Sequence, residues 1–252
     1  MTGRLREVSA IITGAAGGIG SAAARAFVAE GAVVGLLDLP GPGLDRLAAE
    51  LGASATALPA DITQESQVAA AFASWWQERG ALTVLYACAG IQLHGEDGPA
   101  DRTGLDVWDR TFAANATGTF LACKHAIPLV RRSGGGSILI CGSPTGLTMS
   151  GAGYSAYAAS KGAVMSLARV MAADHVADGI RVNVIVPGPV RTPLIKELID
   201  DEGTRSELER TTPIGRLAEP DDLVGIAVFL ASPESAYATG ATFAVDGGIT
   251  AR

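Results

Sequence analysis

Cysteine, aromatic residues and long apolar runs are all in short supply in this sequence of 252 residues. The three cysteines, Cys88, Cys123 and Cys141, are odd in number and far apart, with no C-x-x-C pair. This spacing excludes a disulfide framework and a cysteine metal centre, and it predicts reduced thiols. The charged N-terminal residues precede only a short apolar run, so neither a signal peptide nor a membrane span fits. We therefore expect a cytoplasmic protein with no metal and no membrane partner.

Positive charge is also in deficit. Nineteen basic residues face 26 acidic residues, which gives a formal net charge of -7. A protein with this balance lacks the positive field that binding to a phosphate backbone requires, so nucleic acid is excluded as a partner. Hydrophobic residues make up 48% of the chain but aromatics only 5%. This composition favours a core of small aliphatic side chains, as in helices packed closely on a buried sheet.

Short aliphatic runs alternate with stretches of helical periodicity along the chain. The runs are too short for helices and continuously apolar, as strands buried on both faces should be. Alternation of this kind predicts an α/β fold, a doubly wound parallel sheet of about seven strands with helices on both faces. The predicted strands lie at 8–13, 32–38, 55–61, 82–87, 136–141, 181–186 and 241–246.

No repeat, low-complexity tract or linker divides the chain, so we expect one domain over residues 1–252. The segment 187–219 is rich in proline and charge and follows a predicted strand. Long insertions at the carboxyl edge of such a sheet are usually functional, and we predict a substrate lid at about 190–215. His94 follows the fourth strand and is interpreted as a loop histidine, with substrate contact as the alternative.

A glycine-rich turn follows the first predicted strand, with Gly14, Gly18 and Gly20 ahead of a helix. Glycines allow a tight turn and close approach of backbone N–H groups to a pyrophosphate, whose charge the helix N-terminus favours. The G-x-G-x-x-A form at residues 18–23 matches a dinucleotide-binding turn between strand and helix. A flexible loop without a ligand is the alternative.

The second predicted strand ends in Asp38, eighteen residues after Gly20. An acid at this spacing meets the adenosine ribose hydroxyls and repels a 2′-phosphate, which favours NAD over NADP. A strand-end aspartate is also a common turn residue, and that interpretation stays open. The third strand ends at Asp61-Ile62 and the fourth at 87–90, ACAG, whose small residues permit close approach to a ligand. Both ends could equally be turns.

Two tyrosines precede one lysine in the stretch GYSAYAASK at 153–161. Gly151 and Gly153 oppose helix continuation, and Ser155 is a plausible N-cap for a helix that runs from about residue 156. In that helix Tyr157 and Lys161 are four residues apart and share a face. Tyr154 lies before the helix, so the pattern favours Tyr157 as the reactive phenol.

The lysine can activate the phenol only in a desolvated cleft. Lowering the pKa of a phenol from about 10 to about 7 requires roughly 4 kcal/mol. Coulomb attraction at about 4 Å supplies about 1 kcal/mol in water and about 4 kcal/mol at an effective dielectric near 20. A phenolate held in this way can accept the hydroxyl proton of an alcohol. Surface packing of an aromatic residue and a lysine at helical spacing is the common alternative.

Taken together, these motifs resemble the short-chain dehydrogenase/reductase family over essentially the whole chain. Their order along the chain is far more specific than any one of them. The resemblance implies a Rossmann-like fold and a nicotinamide cofactor. The elements that carry it are TGAAGGIG at 13–20, Asp38, Asp61, ACAG at 87–90, Asn115 in NATG, Ser143, Tyr157-x-x-x-Lys161 and PGPVRT at 187–192.

The resemblance implies roles for individual residues. Tyr157 would be the general acid/base, with Lys161 lowering its pKa and holding the nicotinamide ribose. Ser143 would orient the substrate oxygen, and Asn115, in the middle of a long helix, would help bind a water that links Lys161 to solvent. The cofactor-binding positions would be Gly14, Gly17, Gly18, Ile19 and Gly20 at the pyrophosphate, Asp38 at the ribose, Asp61 and Ile62 at the adenine, Cys88 and Gly90 beside the ligand, Tyr157 and Lys161, and Pro187, Val190 and Thr192 at the carboxamide.

The chain departs from the family pattern in two places. Cys88 stands where the family commonly carries the second asparagine of N-N-A-G, which removes an amide that can join the strand to its neighbour. Ser143 lies fourteen residues before Tyr157, a long spacing, and Thr145 or Ser150 could be mistaken for the catalytic hydroxyl. Ser143 directly follows a strand and is the better candidate.

The sequence therefore predicts an NAD(H)-dependent oxidoreductase that interconverts a secondary alcohol and a ketone. An NADPH-dependent 3-oxoacyl reductase and a catalytically silent dinucleotide-binding regulator are the alternatives. The resemblance also implies a homotetramer or homodimer. Loop composition alone does not distinguish among sugar, steroid, polyol and acyl ketone substrates.

Overall fold

Seven parallel strands form a single sheet in the computed structural model, which describes residues 3–148 and 152–251. The strand order is β3-β2-β1-β4-β5-β6-β7, and every neighbouring pair is parallel. Each predicted run overlaps one strand, so the α/β prediction is confirmed. The strands are β1 Ser9–Thr13, β2 Val33–Asp38, β3 Ala55–Pro59, β4 Val84–Ala87, β5 Gly136–Cys141, β6 Ile180–Pro187 and β7 Thr242–Val245.

Helices connect the strands and cover both faces of the sheet. They are α1 Gly18–Ala29, α2 Pro42–Leu51, α3 Glu65–Arg79, α4 Leu105–Phe112, α5 Gly118–Arg132, α6 Ser155–His175, α7 Lys196–Asp200, α8 Glu202–Thr211 and α9 Val224–Ala231. A π-helical turn at Ala113–Thr117 joins α4 to α5. Asn115 therefore lies in this turn, and the expectation of an uninterrupted long helix around it is wrong.

Two apolar cores lie on opposite faces of the sheet. One packs α3, α5 and α6 against the strands, and the other packs α1, α2 and α9. Fully burying one large apolar side chain stabilises a fold by about 1.5–3 kcal/mol, so these layers hold the strand ends in register. The largest buried side chains include Phe72, Trp75 and Leu85 in the first core and Phe27, Leu36 and Tyr86 in the second.

The strand order reverses between β1 and β4, which leaves a crevice at the carboxyl edge of the sheet. Ligands of doubly wound sheets bind at such a switch point. Gly14 sits there with a φ of 67°, and a Cβ atom on it would lie 2.7 Å from Cα of Ala89. Both the left-handed backbone and the close approach to the β4 end therefore require glycine.

Helix α6 begins differently from the sequence prediction. Its N-cap is Tyr154 without a side-chain cap, and Ser155 is already the first helical residue. The carboxylate of Asp97, in the loop after β4, instead accepts the backbone N–H groups of Ala156 at 3.2 Å and Tyr157 at 2.9 Å. A distant aspartate satisfies these helix-end donors, so the proposed Ser155 cap is wrong. Gly151, assigned as a helix breaker, lies outside the described residues.

The segment after β6 folds into short helices. A 3₁₀ turn at Pro193–Ile195 leads into α7 and then α8. The carboxylate of Asp201 caps α8 by accepting the N–H of Thr204 at 2.7 Å. The insertion predicted from its proline and charge content is therefore an ordered helical pair at the carboxyl edge. Within the described ranges, every helix is too short or too polar to cross a membrane.

Candidate active site

Four predicted catalytic side chains come from three elements, namely α6, the π-helical turn and the segment after β5, and are all buried near the carboxyl edge of the sheet. Tyr157 and Lys161 are 7% and 5% exposed, Ser143 is 7% exposed, and Asn115 is fully buried. Polar side chains are rarely buried unless they are paired or functional. Their burial makes the crevice the candidate site.

Tyr157 and Lys161 share a face of α6, as their spacing predicts. The ammonium nitrogen Nζ lies 5.8 Å from the centroid of the phenol ring. It also donates a hydrogen bond of 2.9 Å to the backbone oxygen of Cys141, the last residue of β5. The end of β5 therefore fixes the ammonium beside the ring.

Burial raises the pKa of Tyr157 above its ordinary value, and the charge of Lys161 and hydrogen bonding with Ser143 oppose that rise without cancelling it. Burial also lowers the pKa of Lys161, but its interactions with Tyr157, Cys141 and Cys88 outweigh burial and raise it. Lysine therefore stays charged and the phenol stays protonated at neutral pH. The lysine alone does not make the phenol a base, and a further positive charge beside the ring is required.

Ser143 lies in an extended conformation directly after β5. Its Oγ accepts hydrogen bonds from the backbone N–H of Thr145 at 3.3 Å and from the Thr145 hydroxyl at 2.9 Å. Thr145 thus orients Ser143. The hydroxyl proton of Ser143 remains available for a hydrogen bond to the Tyr157 phenol. The other alternative, Ser150, lies outside the described residues.

Asn115 joins two walls of the crevice through its side-chain amide. Its Oδ1 accepts the N–H of Ile91 at 2.7 Å, and its Nδ2 donates to the Ile91 oxygen at 2.9 Å and to the Ser160 hydroxyl at 3.0 Å. A π-helical turn changes which face of the helix a residue occupies, and such turns are frequent at functional sites. The loop after β4 is thereby tied to α6.

The glycine turn presents backbone donors to the crevice. Within the described chain, the N–H groups of Gly18, Ile19 and Gly20 have no protein acceptor, and the first turn of α1 carries no acid. The N–H of Gly17 donates to the oxygen of Gly14 at 3.1 Å. Free N–H groups at a helix N-terminus suit a pyrophosphate, so the residues present fit a dinucleotide.

Small residues hold this part of the crevice open. A Cβ atom on Gly20 would lie 2.1 Å from the oxygen of Gly14, and one on Gly18 would lie 2.4 Å from Cγ2 of Thr192. A Cβ atom on Gly90 would lie 3.0 Å from Oδ1 of Asn115 and 3.5 Å from the Lys161 ammonium. The turn after β1, the end of β4 and the segment after β6 therefore approach one another closely.

The two predicted aspartates are placed differently. Asp38, half-buried, accepts the N–H groups of Ala16 in the glycine turn and of Leu39, each at 2.8 Å. Asp61 closes its own turn by accepting from the N–H and the hydroxyl of Thr63, both at 2.8 Å. Asp38 thus belongs to the candidate cofactor cleft, while the carboxylate of Asp61 stabilises its own turn.

The remaining predicted cofactor residues lie on the segments at and after the strand ends. Ile62 packs toward α5, where a Cβ atom on Gly118 would lie 2.9 Å from its side chain. Pro187 ends β6, and Val190 is 5% exposed and pairs with Ala218 in an isolated β-bridge. The half-buried Cys88 donates its backbone N–H to Oγ1 of Thr13 at 3.1 Å, so it lies at the β1 side of the crevice.

Sequence reasoning missed Asp97 and did not find the partners of His94. Asp97 caps α6 from another loop. His94, interpreted as a loop residue, contacts the hydroxyl of Tyr154 through Nδ1 and the backbone oxygen of Leu194 through Nε2, each at 3.0 Å. It therefore links the loop after β4, the start of α6 and the segment after β6. No local pattern marks either residue, because both act on chain segments distant in sequence.

Replacing Asp97 by alanine should lower the free energy of unfolding by about 0.5–2 kcal/mol, the usual cost of losing a helix cap. The reason is that two N–H donors at the start of α6 lose their acceptor. Urea unfolding followed by circular dichroism measures the change. Asp101→Ala is the matched control, since Asp101 lies in the same loop, is exposed and makes a 3.8 Å ion pair with Arg102. Equal stability of the two variants would contradict the capping role of Asp97.

Known proteins resemble this chain over its whole length. A family model described as enoyl-(acyl carrier protein) reductase matches residues 14–250. The 2-(S)-hydroxypropyl-CoM dehydrogenase 3 of Xanthobacter autotrophicus is 40% identical over 262 residues, covering 100% of this chain and 100% of that protein.

Solved structures give the same result. A short-chain type dehydrogenase/reductase from Mycobacterium marinum superposes with a TM-score of 0.93 at 32% identity, covering 100% of this chain and 98% of that one. The 3-ketoacyl-(acyl-carrier-protein) reductase from Brucella melitensis, solved with NADH, gives a TM-score of 0.91 at 32% identity, covering 98% of this chain and 99% of that one. Since the similarity extends beyond the nucleotide-binding half to the whole sheet, the chain belongs to the short-chain dehydrogenase/reductase family and is an NAD(P)-dependent oxidoreductase acting on CH–OH groups.

Proposed function

We propose that this protein interconverts a secondary alcohol and a ketone with NAD(H), with Tyr157 as the general acid/base. One observation carries the proposal. A buried phenol and a buried ammonium lie 5.8 Å apart, ring centroid to Nζ, at the carboxyl edge where the free N–H groups of the glycine turn also lie. The relative named for a 2-(S)-hydroxypropyl substrate supports a secondary alcohol as the substrate class.

In the direction of ketone reduction, Tyr157 donates its phenolic proton to the carbonyl oxygen. Burial keeps that proton on the phenol at neutral pH because it raises the pKa of Tyr157. Ser143 holds the same oxygen through its hydroxyl, and Lys161 stabilises the negative charge that the departing proton leaves on the phenol. A bound nicotinamide dinucleotide supplies the two-electron exchange at the substrate carbon.

In the direction of alcohol oxidation, Tyr157 must accept the hydroxyl proton. The phenol must then lose its own proton first, which the charge of Lys161 favours and burial opposes. We also assign to Lys161, which is fixed by the oxygen of Cys141, the binding of the nicotinamide ribose. We assign to Asn115 the binding of a water that links Lys161 to solvent, since its amide already joins both walls of the crevice.

We assign NAD as the cofactor because Asp38 places a carboxylate next to the glycine turn. A 2′-phosphate would meet this negative charge, and unfavourable juxtaposition of like charges costs several kcal/mol. The NADH bound to the Brucella melitensis reductase is consistent with this assignment. The alternative of an NADPH-dependent 3-oxoacyl reductase predicts the opposite cofactor preference.

The double variant Asp38→Ala with Leu39→Arg should reverse the cofactor preference. Removing the carboxylate and adding a guanidinium exchanges repulsion for attraction, and each 1.4 kcal/mol corresponds to about a tenfold change in affinity. The ratio of kcat/KM with NADPH to that with NADH should rise by at least about tenfold. Asp45→Ala, at an exposed position on α2, is the control and should leave the ratio unchanged. Wild-type preference for NADPH would contradict the role of Asp38.

A catalytically silent regulator would have the same fold. The retention of Asn115, Ser143, Tyr157 and Lys161 in one buried cluster supports an enzyme, since a silent site need not keep all four. A panel of secondary alcohols assayed with NAD, following absorbance of the reduced cofactor, tests the proposal. Turnover of at least one alcohol is expected, and dinucleotide binding without any turnover would favour the regulator.

We further propose that residues 1–252 form one dinucleotide-binding and catalytic domain and that about 190–215 act as a substrate lid. The contact of His94 with Leu194 supports the lid, because it connects this segment to the loop after β4. We assign a homotetramer or homodimer in which α5 and α6 form an interface. The exposed apolar side chains of Phe120 on α5 and Val170 on α6, 46% and 55% exposed, support this assignment.

A further inference from the structure

Cys88 and Cys141 lie at the ends of two neighbouring strands. Ala87 of β4 is the register partner of Ile140 of β5, so the next pair along the parallel strands is Cys88 and Cys141. Both side chains point to the α1 and α9 side of the sheet, where they pack with Tyr86. Neighbouring strands run about 4.8 Å apart, within the Cα separation of roughly 4.4–6.8 Å that a disulfide spans.

The surroundings of the pair activate one sulfur. Hydrogen bonding with Cys88 lowers the pKa of the Cys141 thiol to about 7, and the charge of Lys161 acts in the same direction against the effect of burial. Cys141 is 8% exposed and Cys88 is half-buried. By contrast, burial raises the pKa of the third thiol, Cys123, to about 12. Because the thiolate is the reactive form of cysteine, Cys141 is the residue of the pair expected to react first.

A buried phenol lies beside the pair. Tyr86 is fully buried two residues before Cys88 on the same face, and its hydroxyl interacts with the Cys88 thiol. Burial, followed by interaction with Cys88 and Cys141, holds its pKa well above the ordinary value. Tyr86 is therefore a proton-bearing donor adjacent to a sulfur that can become negative.

We propose that Cys88 and Cys141 form an oxidation site, which hydroperoxides convert to a disulfide across the ends of β4 and β5. The Cys141 thiolate attacks one oxygen of hydrogen peroxide, which breaks the O–O bond and gives a sulfenic acid and water. The Cys88 sulfur then displaces the sulfenic hydroxyl, which leaves as a second water as the S–S bond forms. Two thiols lose two electrons and two protons, and one peroxide is reduced to two waters.

Oxidation at this place acts on the catalytic site. The backbone oxygen of Cys141 holds the Lys161 ammonium, and the backbone N–H of Cys88 is bound to Thr13 at the edge of the glycine turn. A disulfide pulls both strand ends together and moves these two backbone groups. Dinucleotide affinity and turnover should therefore fall on oxidation and return on reduction. A bound dinucleotide should cover Cys88 and slow the reaction.

Counting thiols in the wild-type protein tests the oxidation site without any substrate. The native protein is treated with a small excess of hydrogen peroxide, quenched, unfolded and titrated with a thiol reagent, with and without NAD. We expect titratable thiols to fall from three to one, a cross-linked peptide pair containing Cys88 and Cys141, recovery with dithiothreitol, and slower loss with NAD. Retention of all three thiols, or loss of one alone, overturns the proposal.

Variants separate the pair from the remaining cysteine. Cys123→Ala should still lose two thiols, because Cys123 lies in the opposite core. Cys88→Ser and Cys141→Ser should form no intramolecular disulfide. If Cys88→Ser still loses two thiols, Cys123 is a partner and the assigned pair is wrong. This count also separates the site from the proposed function, since an enzyme that fails to oxidise any alcohol can still form the cross-link.

Discussion

Replacing Tyr157 by phenylalanine should lower both alcohol oxidation and ketone reduction by about 10²–10⁴-fold, the usual contribution of a positioned general acid or base. The variant loses the only atom that can exchange a proton with the substrate oxygen in this account, while the ring still fills its buried place on α6. Dinucleotide binding, measured by fluorescence titration, should remain within a few-fold of the wild type. The result is therefore a loss in kcat rather than in cofactor affinity.

Tyr154 provides the matched control, since it is a second phenol three residues earlier. Its hydroxyl contacts His94 rather than Lys161, and it lies before the helix. Tyr154→Phe should keep turnover within a few-fold of the wild type. A large loss of turnover in Tyr154→Phe, together with near-normal turnover in Tyr157→Phe, would show that Tyr154 and not Tyr157 is the reactive phenol.

Replacing Lys161 by methionine should produce the second large loss. At the observed 5.8 Å between Nζ and the ring centroid, a unit charge at an effective dielectric near 20 is worth about 3 kcal/mol, or roughly a hundredfold in rate. Methionine keeps the length and apolar stem of the side chain without the charge. Affinity for the dinucleotide should fall as well, because Lys161 is assigned to the nicotinamide ribose.

The pH profile separates an electrostatic role of Lys161 from a merely structural one. Burial already raises the pKa of Tyr157, and the lysine charge opposes that rise. Without the charge the pKa of the phenol rises further, so the increase of alcohol oxidation with pH should move to higher pH. Lys124→Met, on the exposed side of α5 where it pairs with Glu65, should leave the profile unchanged. A rate loss in Lys161→Met with an unmoved profile would contradict the electrostatic role.

The sheet could be predicted from the sequence because parallel strands covered on both faces require continuous apolar runs. Runs such as SAIIT and VVGLLD meet that requirement. The start of α6 could not be predicted in the same way. Its cap comes from Asp97, about sixty residues earlier, and a local rule finds only the neighbouring Ser155. The π-helical turn around Asn115 likewise involves a distant segment, because the Asn115 side chain bonds Ile91 in the loop after β4.

The pairing of Tyr157 with Lys161 follows from helix geometry alone, since residues four apart share a face. The direction in which the pKa of Tyr157 shifts cannot be derived from helix geometry. It depends on how completely the sheet and the loops cover the phenol, and burial outweighs the charge four residues away. The relation between Cys88 and Cys141 also lies beyond sequence reasoning, because strand register brings together two residues that are fifty-three apart.

We propose that the Lys161 ammonium lowers the proton affinity of the buried Tyr157 phenol, and this effect is central to the proposed chemistry. The most direct measurement is a titration of the phenol by NMR with carbon-13 at the tyrosine Cζ, comparing wild type with Lys161→Met in the presence of NAD. Tyr157→Phe identifies the signal among the four tyrosines. We predict that the Tyr157 signal titrates at lower pH in the wild type than in Lys161→Met. Titration of both proteins at the same pH would contradict the account.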